Sequence, residues 1–196
     1  MPTIIIPLAA VLLAIAGPAA AQAQHGHHGA GRMHDQPAPQ ASPYAGMQQR
    51  GIKALSDQQI ADLRAGRGMG LALAAELNGY PGPLHALELA DRLGLSPDQR
   101  ARTEAALASM KDETAAIGRK VIAGEAELDA LFAGRTVAHE SLDAVVVRIA
   151  TAQGRLRAAH LRYHLQMAGI LTPDQATTYA QLRGYGSGAP ASPVRQ

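Results

Sequence analysis

The sequence contains no cysteine and no tryptophan, and its aromatic side chains are five Tyr and one Phe. Without cysteine there are no disulfides, thiolate metal sites or cysteine nucleophiles in any compartment. A metal would have to use His, Met or oxygen ligands. The apolar fraction of 47% comes mostly from Ala and Leu rather than from the aromatic and β-branched residues that suit a pleated surface, which argues against a β-sandwich or barrel. Charge of one sign is also scarce. A formal net charge of +2 gives no strong field, so a nucleic-acid partner is not implied. The catalytic signatures are missing too: there is no nucleophile elbow, phosphate-cradling glycine loop, His-Glu-x-x-His helix or paired carboxylate motif. The chain is not expected to be an enzyme, and no cofactor is required.

The 196 residues suit one domain of ordinary size. Residues 1–23 read as a signal peptide. Ile4 to Ala16 form a short apolar run, and Gly17-Pro18 and the small residues Ala19 to Ala23 follow as a cleavage region. The run is shorter than the roughly 20 residues a spanning helix needs, so export to the periplasm is expected rather than a stable membrane span. Residues 24–50, rich in His, Pro and Gln, lack apolar periodicity and read as a disordered segment. A helical domain is expected over 51–185, and a second disordered tail over 186–196.

Within that domain, Ser56 and Gln59 predict a capped helix through about Arg64, and the glycines at 66, 68 and 70 read as a flexible joint. A short helix is expected from Leu71 to Leu77, ending before Asn78-Gly79-Tyr80-Pro81-Gly82-Pro83. Another, carried by Leu84, Leu87 and Leu89, is expected to end at Gly94. The strongest start signal is Leu95-Ser96-Pro97-Asp98-Gln99. Ser96 can accept from the N3 amide, Gln99 can reach back to the cap, and Pro97 gives up only an orphan amide. Leu171-Thr172-Pro173-Asp174-Gln175 repeats the arrangement, and every residue in both copies is accounted for by helix initiation.

Between the copies lie two long apolar seams separated near Ala133-Gly134-Arg135-Thr136. The first runs Leu107, Met110, Thr114, Ile117, Val121, Gly124, Leu128, Leu131. The second runs Leu142, Val145, Ile149, Ala152, Leu156, Ala159, Tyr163. Both step by three and four residues, which predicts an all-α fold built on a long antiparallel helical hairpin with short flanking helices. Gly118, Gly124 and Gly154 would each weaken an exposed helix by about 1 kcal/mol relative to Ala.

Two Leu-Ser/Thr-x-x-Gln helix starts, the hairpin between them and the export signal in front resemble the Spy/CpxP family of periplasmic proteins, over roughly Leu84 to Tyr185. Against that family's LTxxQ motif, Leu95, Ser96 and Gln99 match with Ser for Thr, and Leu171, Thr172 and Gln175 match fully. The stretch from Tyr44 to Pro83 has no place in the pattern. The resemblance implies curved helical hairpins, commonly dimeric. It also implies either an ATP-independent chaperone for unfolded or partly folded envelope proteins, or a sensor of metal and envelope stress linked to heavy-metal resistance. In the metal-sensing CnrX-like branch, a His and a residue four further on precede the second motif. His160 and His164 fall there, and His85 and Glu88 lie near the other relevant helix.

Read from the residues themselves, His160 and His164 share one helix face and can contact one ion, with Met167 or a carboxylate beside them. Lining a packed face is the competing reading, and it is favoured by Leu156 and Tyr163 on the same side. His25, His27, His28 and His34, together with Met33, suit soft or borderline divalent cations such as Zn, Cu, Ni or Co; the alternative is a solvated leader. Arg148, Arg155, Arg157 and Arg162 on one long helix, with Arg100, Arg102, Lys111, Arg119 and Lys120 on the other, can draw in acidic clients; otherwise they form a solvated face balanced by Glu104, Asp112, Glu113, Glu125 and Glu127.

Overall fold

The structure is a computed structural model and describes residues 42–185. The signal peptide, His25, His27, His28 and His34, and the tail from 186 onward lie outside the described residues. After a short 3-10 turn at Met47–Gln49 come α1 (Asp57–Arg64), α2 (Leu73–Glu76), α3 (Pro83–Glu88), α4 (Pro97–Ala133), α5 (His139–Ala168) and α6 (Pro173–Leu182). The described residues contain no strand, so the fold is all-α. α4 and α5 pack along each other as the expected antiparallel hairpin, with α1 and α3 laid against α4.

The helix starts are where the capping chemistry places them. Ser96 Oγ accepts from the Gln99 amide at 3.1 Å while Gln99 Oε1 accepts from the Ser96 amide at 3.0 Å. Thr172 with Gln175 and Ser56 with Gln59 repeat this reciprocal pair. Each box satisfies two amides that the helix itself leaves without partners. The hairpin turn is closed by the Thr136 amide reaching the Leu131 carbonyl at 3.0 Å, with Arg135 in the left-handed region at φ 53°.

The core sits in two clusters. One, at the motif end, joins Ala86, Leu93, Met167, Ile170, Leu171 and Tyr179. The other, along the hairpin, joins Leu55, Leu63, Val121, Ala152 and Leu156. The segment Tyr44 to Pro83, which the motif pattern left unplaced, therefore supplies core residues and wraps one side of the hairpin.

Four local expectations change. α2 is shorter than Leu71–Leu77: Leu71 is held in a turn by a bond to the Gly68 carbonyl, and the helix runs only from Leu73 to Glu76. α3 ends at Glu88 rather than Gly94. The chain then runs in turns to Gly94, at φ 60°, where the Leu95 amide returns to the Ala90 carbonyl. Gly66 is no free joint: it is buried, and its carbonyl accepts from Thr114 Oγ1 at 3.1 Å. The α4 seam is also displaced. Ala106 and Gly118 are buried, whereas Leu107 and Ile117 are only half-buried. The reason is that α1 crosses there: a Cβ on Gly118 would lie 2.2 Å from the Leu63 carbonyl oxygen. Gly124 likewise admits Ile149, since a Cβ there would sit 2.6 Å from Ile149 Cγ1. These two glycines are contact points, not weaknesses; Gly154 has no neighbour of this kind.

Candidate functional site

Two features stand out from the scaffold. The first is a buried polar cluster where α2, α5 and α6 meet. Glu76, only 8% exposed, ends α2. The Tyr179 hydroxyl on α6 donates to its Oε1 at 2.5 Å. Arg183 Nε lies 3.6 Å from the same oxygen, and His164 Nδ1 lies 3.8 Å from Oε2. Burial, then the bond to Glu76, pushes the Tyr179 hydroxyl well above the usual tyrosine range, so it stays a donor.

His164 Nδ1 is 2.7 Å from the Tyr80 carbonyl. A carbonyl only accepts, so Nδ1 is assigned a proton, and Nε2 is the ring atom left to face another partner. That nitrogen faces Gly82, where a Cβ would come within 3.0 Å of it. One turn earlier, His160 is 2% exposed and its Nε2 has no hydrogen-bond partner. Burial, with His164 adding to it, holds the His160 ring below the usual histidine range. A cavity of about 290 Å³ opens beside the cluster, lined by Met69, Glu76, His85, His164, Arg183 and Tyr185 among others.

The two readings of the His160/His164 face thus meet. Both rings are packed, as the packed-face reading held, and His164 stands beside a buried carboxylate, Glu76, that the sequence did not flag. His85 is brought to the same cavity, but its Nδ1 pairs with Glu88 at 2.8 Å. As a metal centre the set is incomplete. His160 Nε2 and the Gly82-facing Nε2 of His164 suit a borderline cation, yet the described residues include no group of three or more His, Asp or Glu placed to hold one. Glu76, Tyr179 and Arg183 carried no signal in the sequence. A lone Glu in a one-turn helix is buried only because α6 folds back over it.

The second feature is a groove of about 670 Å³ along one face of the hairpin. Its floor is apolar and small: Ala116, Ile117, Ala123 and Gly124 from α4, with Val147 and Ala152 from α5. Its rim is charged, with Glu113, Lys120 and Glu127 facing Arg148 and Arg155. Arg148 bonds Glu127 at 2.6 Å, and Arg162 bonds Glu113 at 2.5 Å, with the Tyr163 hydroxyl on the other Glu113 oxygen at 3.1 Å. The arginines of α5 are therefore partly balanced, as the solvated-face reading held. Val147 is 63% exposed, so the floor reaches solvent.

A helical hairpin closed at its base by two Leu-Ser/Thr-x-x-Gln starts, with an apolar groove on its flank, defines the class. The chain belongs to the heavy-metal resistance family, whose model matches residues 69–178, and the resemblance to Spy/CpxP proteins holds. The match takes in Met69 to Pro83, so α2 and its loop, which the motif reading could not place, are part of the family pattern. No curated protein and no solved structure matches the chain.

Proposed function

We propose that the protein is an exported, periplasmic, ATP-independent holder of unfolded or partly folded envelope proteins, seating them in the α4/α5 groove. The observation that carries this reading is the groove itself: a floor of Ala, Gly, Ile and Val open to solvent and bordered by both signs of charge. A shallow surface of small apolar side chains accepts many sequences weakly and demands no single shape, as a holder requires. Among the described residues no helix is long and apolar enough to cross a membrane. Homodimerisation belongs to the same reading, and sedimentation velocity checks it. The principal test is suppression of aggregation of a chemically denatured client without ATP: suppression near equimolar protein is expected, and none at severalfold excess removes the reading.

A second reading, a heavy-metal sensor or buffer, is favoured by the unpartnered Nε2 of buried His160 beside His164. A buried imidazole nitrogen without a partner calls for a water, an ion or a function. His160 and His164 would supply two of the ligands of a divalent Zn, Cu, Ni or Co ion. Met167 or a carboxylate would complete that set, and His25, His27, His28 and His34 would be a second, separate place for such an ion. Titration calorimetry on the full chain, on H160A/H164A, and on a variant with those four histidines changed to Ala separates the two places: heat lost only in the last assigns binding to the N-terminal histidines.

A further inference from the structure

The charges around the groove follow the register of the hairpin. Glu113, Lys120 and Glu127 recur at seven-residue steps along α4, and Arg148, Arg155 and Arg162 recur at seven-residue steps along α5. Such steps keep side chains on one helix face. The outer rungs are fixed by contact, Glu113 with Arg162 and Glu127 with Arg148. Because the helices are antiparallel and the steps equal, the residue midway on α4 stands across from the residue midway on α5. Those residues are Lys120 and Arg155, and both line the groove.

The middle rung is therefore two cations. Neither makes an ion pair among the described residues, whereas both outer rungs do. Beneath it the floor is Ile117, Gly124, Val147 and Ala152. A site with two unneutralised cations over an apolar floor, between neutralised ends, favours one negative group at its centre and apolar groups around it. A second copy of this chain docked on a two-fold axis through that rung would bring four cations together, so the charge pattern opposes that occupant.

We infer that the groove selects polypeptide segments in which a single Asp or Glu is flanked by small or medium apolar side chains, the carboxylate lying between Lys120 and Arg155. The inference rests on the reading of the groove as a polypeptide seat and adds the chemistry of the segment.

The test uses the full chain and three labelled peptides, identical apolar sequences with Glu, Gln or Lys at the centre, followed by fluorescence anisotropy at low and physiological salt. Partly exposed charges contribute modestly, so the Glu peptide is expected to bind about three- to tenfold tighter than the Gln peptide, with the Lys peptide weakest. The order should compress at higher salt. In K120E/R155E, two exposed positions outside the core, the order should invert. Equal affinities for the three peptides, an unchanged order in K120E/R155E, or no binding of any peptide overturns the inference. So does a groove closed by self-association, seen as a dimer that K120E/R155E weakens or strengthens and that excludes all peptides. Client suppression with equal peptide affinities defeats this inference and leaves the holding reading standing; absence of both defeats both.

Discussion

Gln99 and Gln175 exchange hydrogen bonds across the base of the hairpin: Gln99 Nε2 donates to Gln175 Oε1 at 2.8 Å, and Gln175 Nε2 donates to Gln99 Oε1 at 3.0 Å. Each also donates to a backbone carbonyl of the opposite segment, Gln99 to Ile170 and Gln175 to Leu93. The glutamine of each motif thus caps its own helix and fastens the other, which helix initiation alone does not explain.

Replacing either glutamine by Ala should cost about 1–2 kcal/mol of stability, through the lost cap and the unpaired partner amide. Because the two act on one another, Q99A/Q175A should cost less than the sum of the single changes, with a coupling of about 0.5–1.5 kcal/mol. Urea unfolding of the four proteins measures this; strict additivity would contradict the reciprocal bond.

The glycines of the hairpin should respond in opposite senses. Gly118→Ala drives a methyl onto the Leu63 carbonyl and should destabilise by about 1–3 kcal/mol. Gly154→Ala meets nothing within 4 Å and should stabilise by about 1 kcal/mol. Thermal melts of the two variants decide the point.

Tyr179→Phe removes the donor that holds buried Glu76 and should cost about 1–3 kcal/mol. The loss should appear as faster amide exchange over residues 66–82, because Glu76 is the carboxylate by which that segment is tied to α6.

Stability should fall on mild acidification. His160 in the fold takes up a proton only at a pH below its ordinary 6.5, while the unfolded chain takes it up near about 6.5. Between those two values the unfolded state holds more protons, so stability drops as pH falls through that window. His160→Met should flatten this part of the profile, as read from urea midpoints at pH 7.5 and 5.5. An unchanged slope would assign it to other groups.

Much of the fold was legible because it depends on local rules. Ser96, Thr172 and Ser56 start helices through contacts within four residues, and the apolar seam of α5 is buried nearly as spaced. The α4 seam shifted because its periodicity serves two partners: α5 on one side and α1, seated on Gly118, on the other. The polar cluster could not be read, since Glu76 and Tyr179 meet only after α6 has folded back. His160 and His164 were legible as a pair through their spacing, but the company they keep was not. The groove lay between these cases: its arginines and carboxylates were visible as a balanced face, and only the register showed that the middle rung is unbalanced.

The central claim, that the α4/α5 groove seats unfolded polypeptide, is tested most directly by amide chemical-shift mapping of the full chain titrated with a soluble, permanently unfolded client. The account predicts perturbations concentrated at the groove residues Ile117, Lys120, Gly124, Val147 and Arg155. Perturbations confined to other faces, or none at client excess, would contradict it.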